Sequence, residues 1–282
     1  MTDAADLTEW TAADARRWIR VPGPGDDKYS HGVLGVITGS RDYPGAAVLG
    51  VEAAARTGVG MVRYIGPKDV ASMVIARRPE VVARAGRVQA WLIGSGMDAS
   101  RRSFVLAGEL QQALAVGLPT VLDAGALDLV GDSRGPTVIT PHGRELAGLL
   151  SPRIPGASAE AILAEPASWA ARAADEFGAT VLLKGSTTYV AHPGERTIAV
   201  RDAPGWLATA GTGDVLAGIL GALLATNTSR LEAEIDGALP ALAATASFIH
   251  GRAAASASGG GPIAALDVAE HVPATIAALL TG

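Results

Sequence analysis

The chain has 282 residues, of which 49% are hydrophobic, 18% charged and only 4% aromatic, the balance of a folded globule whose core is filled by alanine and aliphatic side chains. Its formal charge of −5 comes with scattered Lys and Arg, which leaves no electrostatic footprint for nucleic acid. The absence of cysteine excludes a disulfide scaffold, a thiolate metal site and a cysteine nucleophile.

The start, Met1-Thr2-Asp3-Ala4-Ala5-Asp6, is acidic where a signal peptide is basic. No uncharged run reaches the roughly 18 residues of a membrane span. A cytoplasmic protein without membrane contact is expected. Residues 1–30 read as a lead-in, in which Thr11-Ala12-Ala13-Asp14 has capping-box spacing and predicts a helix from Ala12 to about Arg20. Pro22-Gly23-Pro24-Gly25 stops it.

From residue 31, short apolar runs alternate with helical patterns. Gly32–Ile37 reads as a strand, Thr38–Pro44 as a loop, Gly45–Thr57 as a helix closed by Gly58, and Met61–Ile65 as the next strand. Ala90–Ile93 is a strand entering Gly94-Ser95-Gly96, and a helix of about Arg101–Val116 carries Leu106, Leu110 and Leu114 on one stripe. Pro119–Leu122 and Thr137–Thr140 are strands of the fully buried type. Trp169, Ala173 and Phe177 repeat at helical spacing between Pro166 and Gly178, Thr180–Leu183 is a strand, and Thr188–Ala191 and Thr197–Val200 flank a hairpin signal at His192-Pro193-Gly194. The remainder is helical at 214–225, 231–257 and 266–280, broken at Gly259-Gly260-Gly261-Pro262. The pattern predicts one α/β domain over 1–282, a mostly parallel sheet with helices on both faces.

In such a sheet, ligands bind beyond the carboxyl ends of the strands, and five strand-following loops carry chemistry. Gly211-Thr212-Gly213-Asp214 opens an apolar helix; its amides and the helix dipole suit an anion. A carboxylate there acts either as a base toward a hydroxyl that attacks phosphorus or as a helix cap, and the residues alone leave both open. Lys184-Gly185-Ser186-Thr187-Thr188 offers a cation, a turn and three hydroxyls to a phosphate or ribose, or forms a plain polar hairpin. Thr140-Pro141-His142-Gly143-Arg144-Glu145 sets a His and a Glu at a helix start, as a site pair or as a structural hydrogen bond. The other four histidines read as structural or solvated. Thr38-Gly39-Ser40-Arg41-Asp42-Tyr43-Pro44-Gly45-Ala46 is not a Walker A loop but presents helix-start amides. Gly94-Ser95-Gly96-Met97-Asp98-Ala99, with Asp123 ending the next strand, comes close to a dinucleotide-binding fingerprint.

Taken together, Gly39-Ser40 with Pro44-Gly45-Ala46, Gly94-Ser95-Gly96, Leu122-Asp123-Ala124, Thr140 to Glu145, Leu182-Leu183-Lys184-Gly185 and Gly211 to Gly218 resemble the ADP-dependent NAD(P)H-hydrate dehydratases of the ribokinase-like superfamily. The resemblance covers roughly residues 28–280. It implies a ribokinase-like three-layer sandwich and repair of the S-epimers of hydrated NADH and NADPH, with ADP consumed and AMP and phosphate released. It further implies Asp214 as the base and an anion hole at Gly211, Thr212 and Gly213. The adenine nucleotide falls on Lys184, Gly185, Ser186, Thr187, Thr188 and Gly213. The hydrated dinucleotide falls on Ala46, Gly96, His142 and Asp214. Glu145 is the residue implied for Mg²⁺ through water, and a homotetramer and a separate epimerase are the implied partners, 282 residues leaving no room for a fused epimerase. The sequence departs from the family pattern at His142-Gly143-Arg144, which lacks a second Pro-Gly, and at Asp202-Ala203-Pro204-Gly205-Trp206, where Trp206 replaces a methionine. A ribokinase-like kinase for a vitamin precursor or sugar, an NAD(P)-binding oxidoreductase and a non-catalytic nucleotide binder are the competing readings.

Overall fold

Apolar runs of three to five residues, too short for helices and bounded by turn residues, set the sheet. The computed structural model describes residues 7–282, so the acidic N-terminal hexapeptide and the expectation attached to it lie outside the described residues. The strands are β1 (Thr8–Glu9), β2 (Val33–Ile37), β3 (Met61–Tyr64), β4 (Ala90–Ile93), β5 (Thr120–Leu122), β6 (Thr137–Ile139), β7 (Thr180–Leu183), β8 (Thr188–Ala191) and β9 (Ile198–Val200). They form one sheet in the order β1-β9-β8-β7-β6-β5-β4-β2-β3. Only β8 runs against the rest, among the described residues.

The helices are α1 (Ala12–Trp18), α2 (Pro44–Thr57), α3 (Lys68–Arg77), α4 (Phe104–Ala115), α5 (Gly143–Leu150), α6 (Ala159–Ala164), α7 (Pro166–Phe177), α8 (Thr212–Thr226), α9 (Thr228–Ala233), α10 (Ile235–Ser258) and α11 (Ala265–Thr281). Strand side chains alternate between faces. Leu34, Leu92, Val121, Val138 and Leu182 pack with α2, α8, α10 and α11; Val33, Ile93, Leu122, Ile139 and Val181 pack with α4, α5 and α7. The result is the three-layer α/β architecture expected. No helix of the described residues is long and apolar enough to cross a membrane.

Several boundaries differ from expectation for local reasons. The capping box at Thr11 and Asp14 forms, but α1 ends at Trp18. The helix expected from Arg101 begins at Phe104, because Ser103 accepts from the Leu106 amide and Ala99–Arg101 forms a separate 3-10 turn capped by Asp98. The long helical stretch after residue 231 divides between α9 and α10 at Glu234. Three elements carry too little pattern to be foreseen: β1 has two exposed residues, α3 buries only Val70 and Val74, and α6 buries only Ile162.

One ionic cluster ties the helical layer together. Glu52 of α2 is fully buried and accepts from Arg56, Arg77 and Arg78; Arg77 also reaches Glu270 of α11. These guanidinium hydrogen bonds overcome burial and hold Glu52 down at a pKa of about 2.

Candidate active site

The C-terminal ends of β2, β4, β5, β6 and β7 converge on the first turn of α8. Gly211, left-handed at φ 89°, is the N-cap of α8, and Val215 donates back to its carbonyl oxygen at 3.2 Å. Thr212 Oγ1 donates to the carbonyls of Leu207 (3.0 Å) and Thr209 (2.9 Å), pinning the turn from below. Asp214 is the third residue of α8 and makes no side-chain cap; the N-cap is a glycine without one. The capping alternative for Asp214 therefore does not hold. Burial first, and the Asp123 charge second, push Asp214 up to about 7, with Lys184 pulling the other way.

Lys184 follows β7. Its amide donates to the Pro141 carbonyl at 2.9 Å, extending the β6–β7 pairing past the strand ends to His142. Its Nζ donates to Asp123 Oδ1 at 3.0 Å, lies 3.9 Å from Glu145 Oε2, and sits 3.6 Å from where a Cβ on Gly213 would be. Burial lowers the lysine's pKa, but the charges of Asp123, Glu145 and Asp214 outweigh it and the ammonium is held up. Asp123, immediately after β5, is 2% exposed. Burial would raise it, yet the Lys184 charge and the donors Thr140, Lys184 and Ser95 hold it well below the usual carboxylate range.

The His142 loop is a helix cap. His142 Nδ1 accepts from the Glu145 amide at 3.2 Å, and Glu145 Oε2 accepts from the His142 amide at 2.8 Å. The structural reading of this pair is therefore realised, while the ring remains half exposed with its Nε2 edge 3.6 Å from Glu145 Oε2. No group of three or more metal-ligating side chains exists among the described residues. Glu145 is one carboxylate at the rim, which matches the way Mg²⁺ is usually held, by one or two carboxylates with waters and phosphates.

On the other side, Gly39 donates to the Ser95 carbonyl at 2.7 Å, joining the loops after β2 and β4. Gly96 has φ 69°, and a Cβ there would stand 2.5 Å from Ala46 Cβ and 2.9 Å from the Tyr43 carbonyl oxygen. One helical turn beyond Ala46, a Cβ on Gly50 would lie 3.4 Å from the Asp214 carbonyl oxygen. Ala46 and Gly96 are thus packed together, and the Asp214 backbone lies against α2 one turn further on. The Gly94 loop does not open a helix, since a 3-10 turn intervenes before α4; it lacks the strand–glycine–helix geometry of a redox dinucleotide fold.

A cavity of about 200 Å³ is lined by Lys184, Gly185, Ser186 and Thr187 with Ile162 and Leu163. Thr188 opens β8, is buried, and does not line it. One relationship at the site escaped the sequence reading, Asp123 as the partner of Lys184; His250, read as structural or solvated, is buried behind the α8 turn. His250 Nε2 is buried without a hydrogen-bond partner, and burial pushes the imidazole down to about 4.

A family model described as NAD(P)H-hydrate dehydratase matches residues 34–270. The chain belongs to that family. The bifunctional NAD(P)H-hydrate repair enzyme Nnr of Mycobacterium leprae is 40% identical over 292 residues, spanning 98% of this chain and 57% of that protein. The ADP-dependent (S)-NAD(P)H-hydrate dehydratase of Neisseria meningitidis is 34% identical over 245 residues, spanning 80% of this chain and 77% of that protein. The chain spans about half the length of the bifunctional relatives it matches. In fold, the ADP/ATP-dependent NAD(P)H-hydrate dehydratase of Bacillus subtilis, co-crystallised with ATP and Mg²⁺, superposes with a TM-score of 0.84 at 22% identity, covering 98% of this chain and all of that one. The ribokinase-like expectation for the fold holds: a ribokinase-like superfamily protein of Enterococcus faecalis superposes at 0.82.

Proposed function

We propose that this member of the dehydratase family restores NADH and NADPH from the S-epimers of their hydrates, consuming ADP and releasing AMP and phosphate. The observation that carries the reading is Asp214, a carboxylate near pKa 7 inside a cationic, amide-rich turn, where a general base for a hydroxyl is poised to work near neutral pH.

The chemistry follows from a poor leaving group. Hydroxide does not depart readily, so the hydroxyl oxygen first attacks the β-phosphorus of ADP. Asp214 takes the hydroxyl proton and AMP leaves. The ring nitrogen's lone pair then expels phosphate with the C–O bond electrons, and loss of the neighbouring ring proton restores the dihydronicotinamide double bond. During transfer, the Thr212 and Gly213 amides and the Lys184 ammonium would meet the phosphoryl oxygens, preorganised donors aimed at developing charge. Lys184, Gly185, Ser186 and Thr187, with Gly213, would hold the adenine nucleotide, with buried Thr188 behind them. Ala46, Gly96 and His142 would contact the hydrated dinucleotide. Mg²⁺ arriving with the nucleotide would neutralise phosphate charge, and Glu145 would hold it through water. The same reading expects a single catalytic domain, a cytoplasmic location beside its nucleotides, a homotetramer and an epimerase that supplies the S-epimer.

The test is recovery of absorbance at 340 nm from hydrated NADH with ADP and Mg²⁺. Wild type should turn over and Asp214→Ala should lose roughly 10²–10⁴-fold, the usual contribution of a positioned base. A folded wild-type protein that consumes ATP on a small alcohol but leaves the hydrate untouched would be a kinase instead.

A further inference from the structure

Four neighbouring strands each deliver one polar side chain within two residues of their C-terminal ends: Ser95 after β4, Asp123 after β5, Thr140 after β6 and Lys184 after β7. All four meet at the Asp123 carboxylate. Ser95 Oγ donates to Oδ2 at 2.8 Å, while Thr140 Oγ1 (2.7 Å) and Lys184 Nζ (3.0 Å) donate to Oδ1. Ser95, Thr140 and Asp123 are 0%, 1% and 2% exposed, so neither hydroxyl nor carboxylate is solvated. Asp123 is followed by Ala124 at φ 47°, the one non-glycine residue of positive φ among the described residues.

We propose that Asp123 is a positioning residue for the phosphoryl-transfer step: a buried, three-donor anion that anchors the Lys184 ammonium beside Gly213. The proposal rests on the dehydratase reading above. A free lysine side chain samples many rotamers and is a compact, strongly hydrated point charge. Here one of its three N–H bonds is spent on a fixed anion beneath the site, which holds Nζ between Glu145 and the Gly213 position of the α8 turn. A buried ion pair is weak support for stability in itself, so its place at the one end of the sheet where ligands bind is better explained by the lysine it orients. Asp123 also lends its negative charge to the surroundings of Asp214, and Lys184 offsets that effect.

The experiment compares wild type, Asp123→Asn, Lys184→Met and the double variant. Melting temperature, kcat and KM for hydrated NADH, and ADP affinity by calorimetry are read for each. Asn fits the same space and can still accept from Ser95 or Thr140, so Asp123→Asn should fold. Its kcat should fall roughly 30-fold with KM for the hydrate within about twofold, the signature of an interaction made in the transition state. The double variant should be no slower than Lys184→Met alone, because residues acting through one another are not additive. A kcat for Asp123→Asn within about threefold of wild type, or losses that multiply in the double variant, overturns the proposal. Should Asp123→Asn not fold, Ser95→Ala and Thr140→Val each remove one donor, and unchanged kcat in both overturns it equally. A wild type without ADP-dependent turnover defeats the dehydratase reading instead; ADP affinity then decides for Asp123, with weakening of roughly fivefold or more expected and unchanged affinity overturning it.

Discussion

Gly218 of α8 packs directly on the backbone of Gly50 in α2: a Cβ at Gly218 would overlap the Gly50 carbonyl oxygen and stand 3.0 Å from Ala53 Cβ. With no side chain between them, the two helices approach closely enough for Gly50 to lie against Asp214 one turn away. The crossing therefore sets the spacing between Ala46 and the base. Gly218→Val should overpack this contact at a cost of about 1–3 kcal/mol, lowering Tm by about 2–4 °C per kcal/mol in a chain this size. Because the α8 turn is displaced with it, kcat should fall more than tenfold and ADP affinity should weaken as well, Gly213 being part of that turn. Calorimetry and the 340-nm assay read both.

The pH profile should report Asp214. The base works ionised, and its pKa is raised to about 7, so kcat/KM should climb tenfold per pH unit below neutrality and level off above it. At pH 5.5 roughly one site in thirty is ionised, placing the rate about 30-fold under the plateau. Initial rates from pH 5.5 to 9 at constant ionic strength decide the matter; a flat profile excludes Asp214 as the base.

The same shift has an opposite consequence for stability. A carboxylate whose folded pKa lies above its ordinary value of 3.8 makes the folded state bind the proton more tightly, and stability drains away as pH rises from about 4 to about 7. Asp214→Asn removes that penalty. Its Tm at pH 8 should exceed wild type by about 2–6 °C, after allowance for partial solvent screening, with the advantage vanishing near pH 4. Thermal melts of the inactive variant at both pH values provide the check.

Glu52 follows the reverse rule. Its folded pKa is lowered from 4.5 to about 2, so the stability it contributes is present above pH 4.5 and is lost as pH falls toward 2. Glu52→Gln leaves three guanidinium groups around a neutral amide and should cost about 3–5 kcal/mol at pH 7, as for other broken buried ion pairs. Urea unfolding at pH 7 and pH 3.5 should show a large gap that narrows in acid.

Sequence reading reached different parts of the molecule unequally, for physical reasons. Ala90–Ile93 and Thr180–Leu183 are observed with the boundaries expected, because strands covered on both faces read as short continuous apolar runs, and Thr188–Ala191 is observed as expected because the His192-Pro193-Gly194 hairpin signal bounds it. Of the site, His142, Lys184 and the Gly211 turn were visible because each is a local strand-to-turn signal. The anchoring of Lys184 was not. Asp123 lies 28 residues from Ser95, 17 from Thr140 and 61 from Lys184, and only the order of strands in the sheet makes them neighbours. Trp206, noted as a departure from the family pattern, proves to donate from Nε1 to the Gly260 carbonyl at 3.1 Å, tying the segment before the α8 turn to the Gly259–Gly261 break; that pairing likewise spans 54 positions.

The convergence of four strand ends on one carboxylate also bounds how this protein can change. Strand side chains alternate with a period of two, so losing or gaining a single residue within β4, β5, β6 or β7 would turn Ser95, Asp123, Thr140 or Lys184 toward the opposite helical layer. The segment carrying α6, by contrast, buries only Ile162 and can vary in length without moving any of them. Diversification of the ligand is thus channelled into the rim, through residues 40–46 and 158–165, while the floor tolerates no insertion.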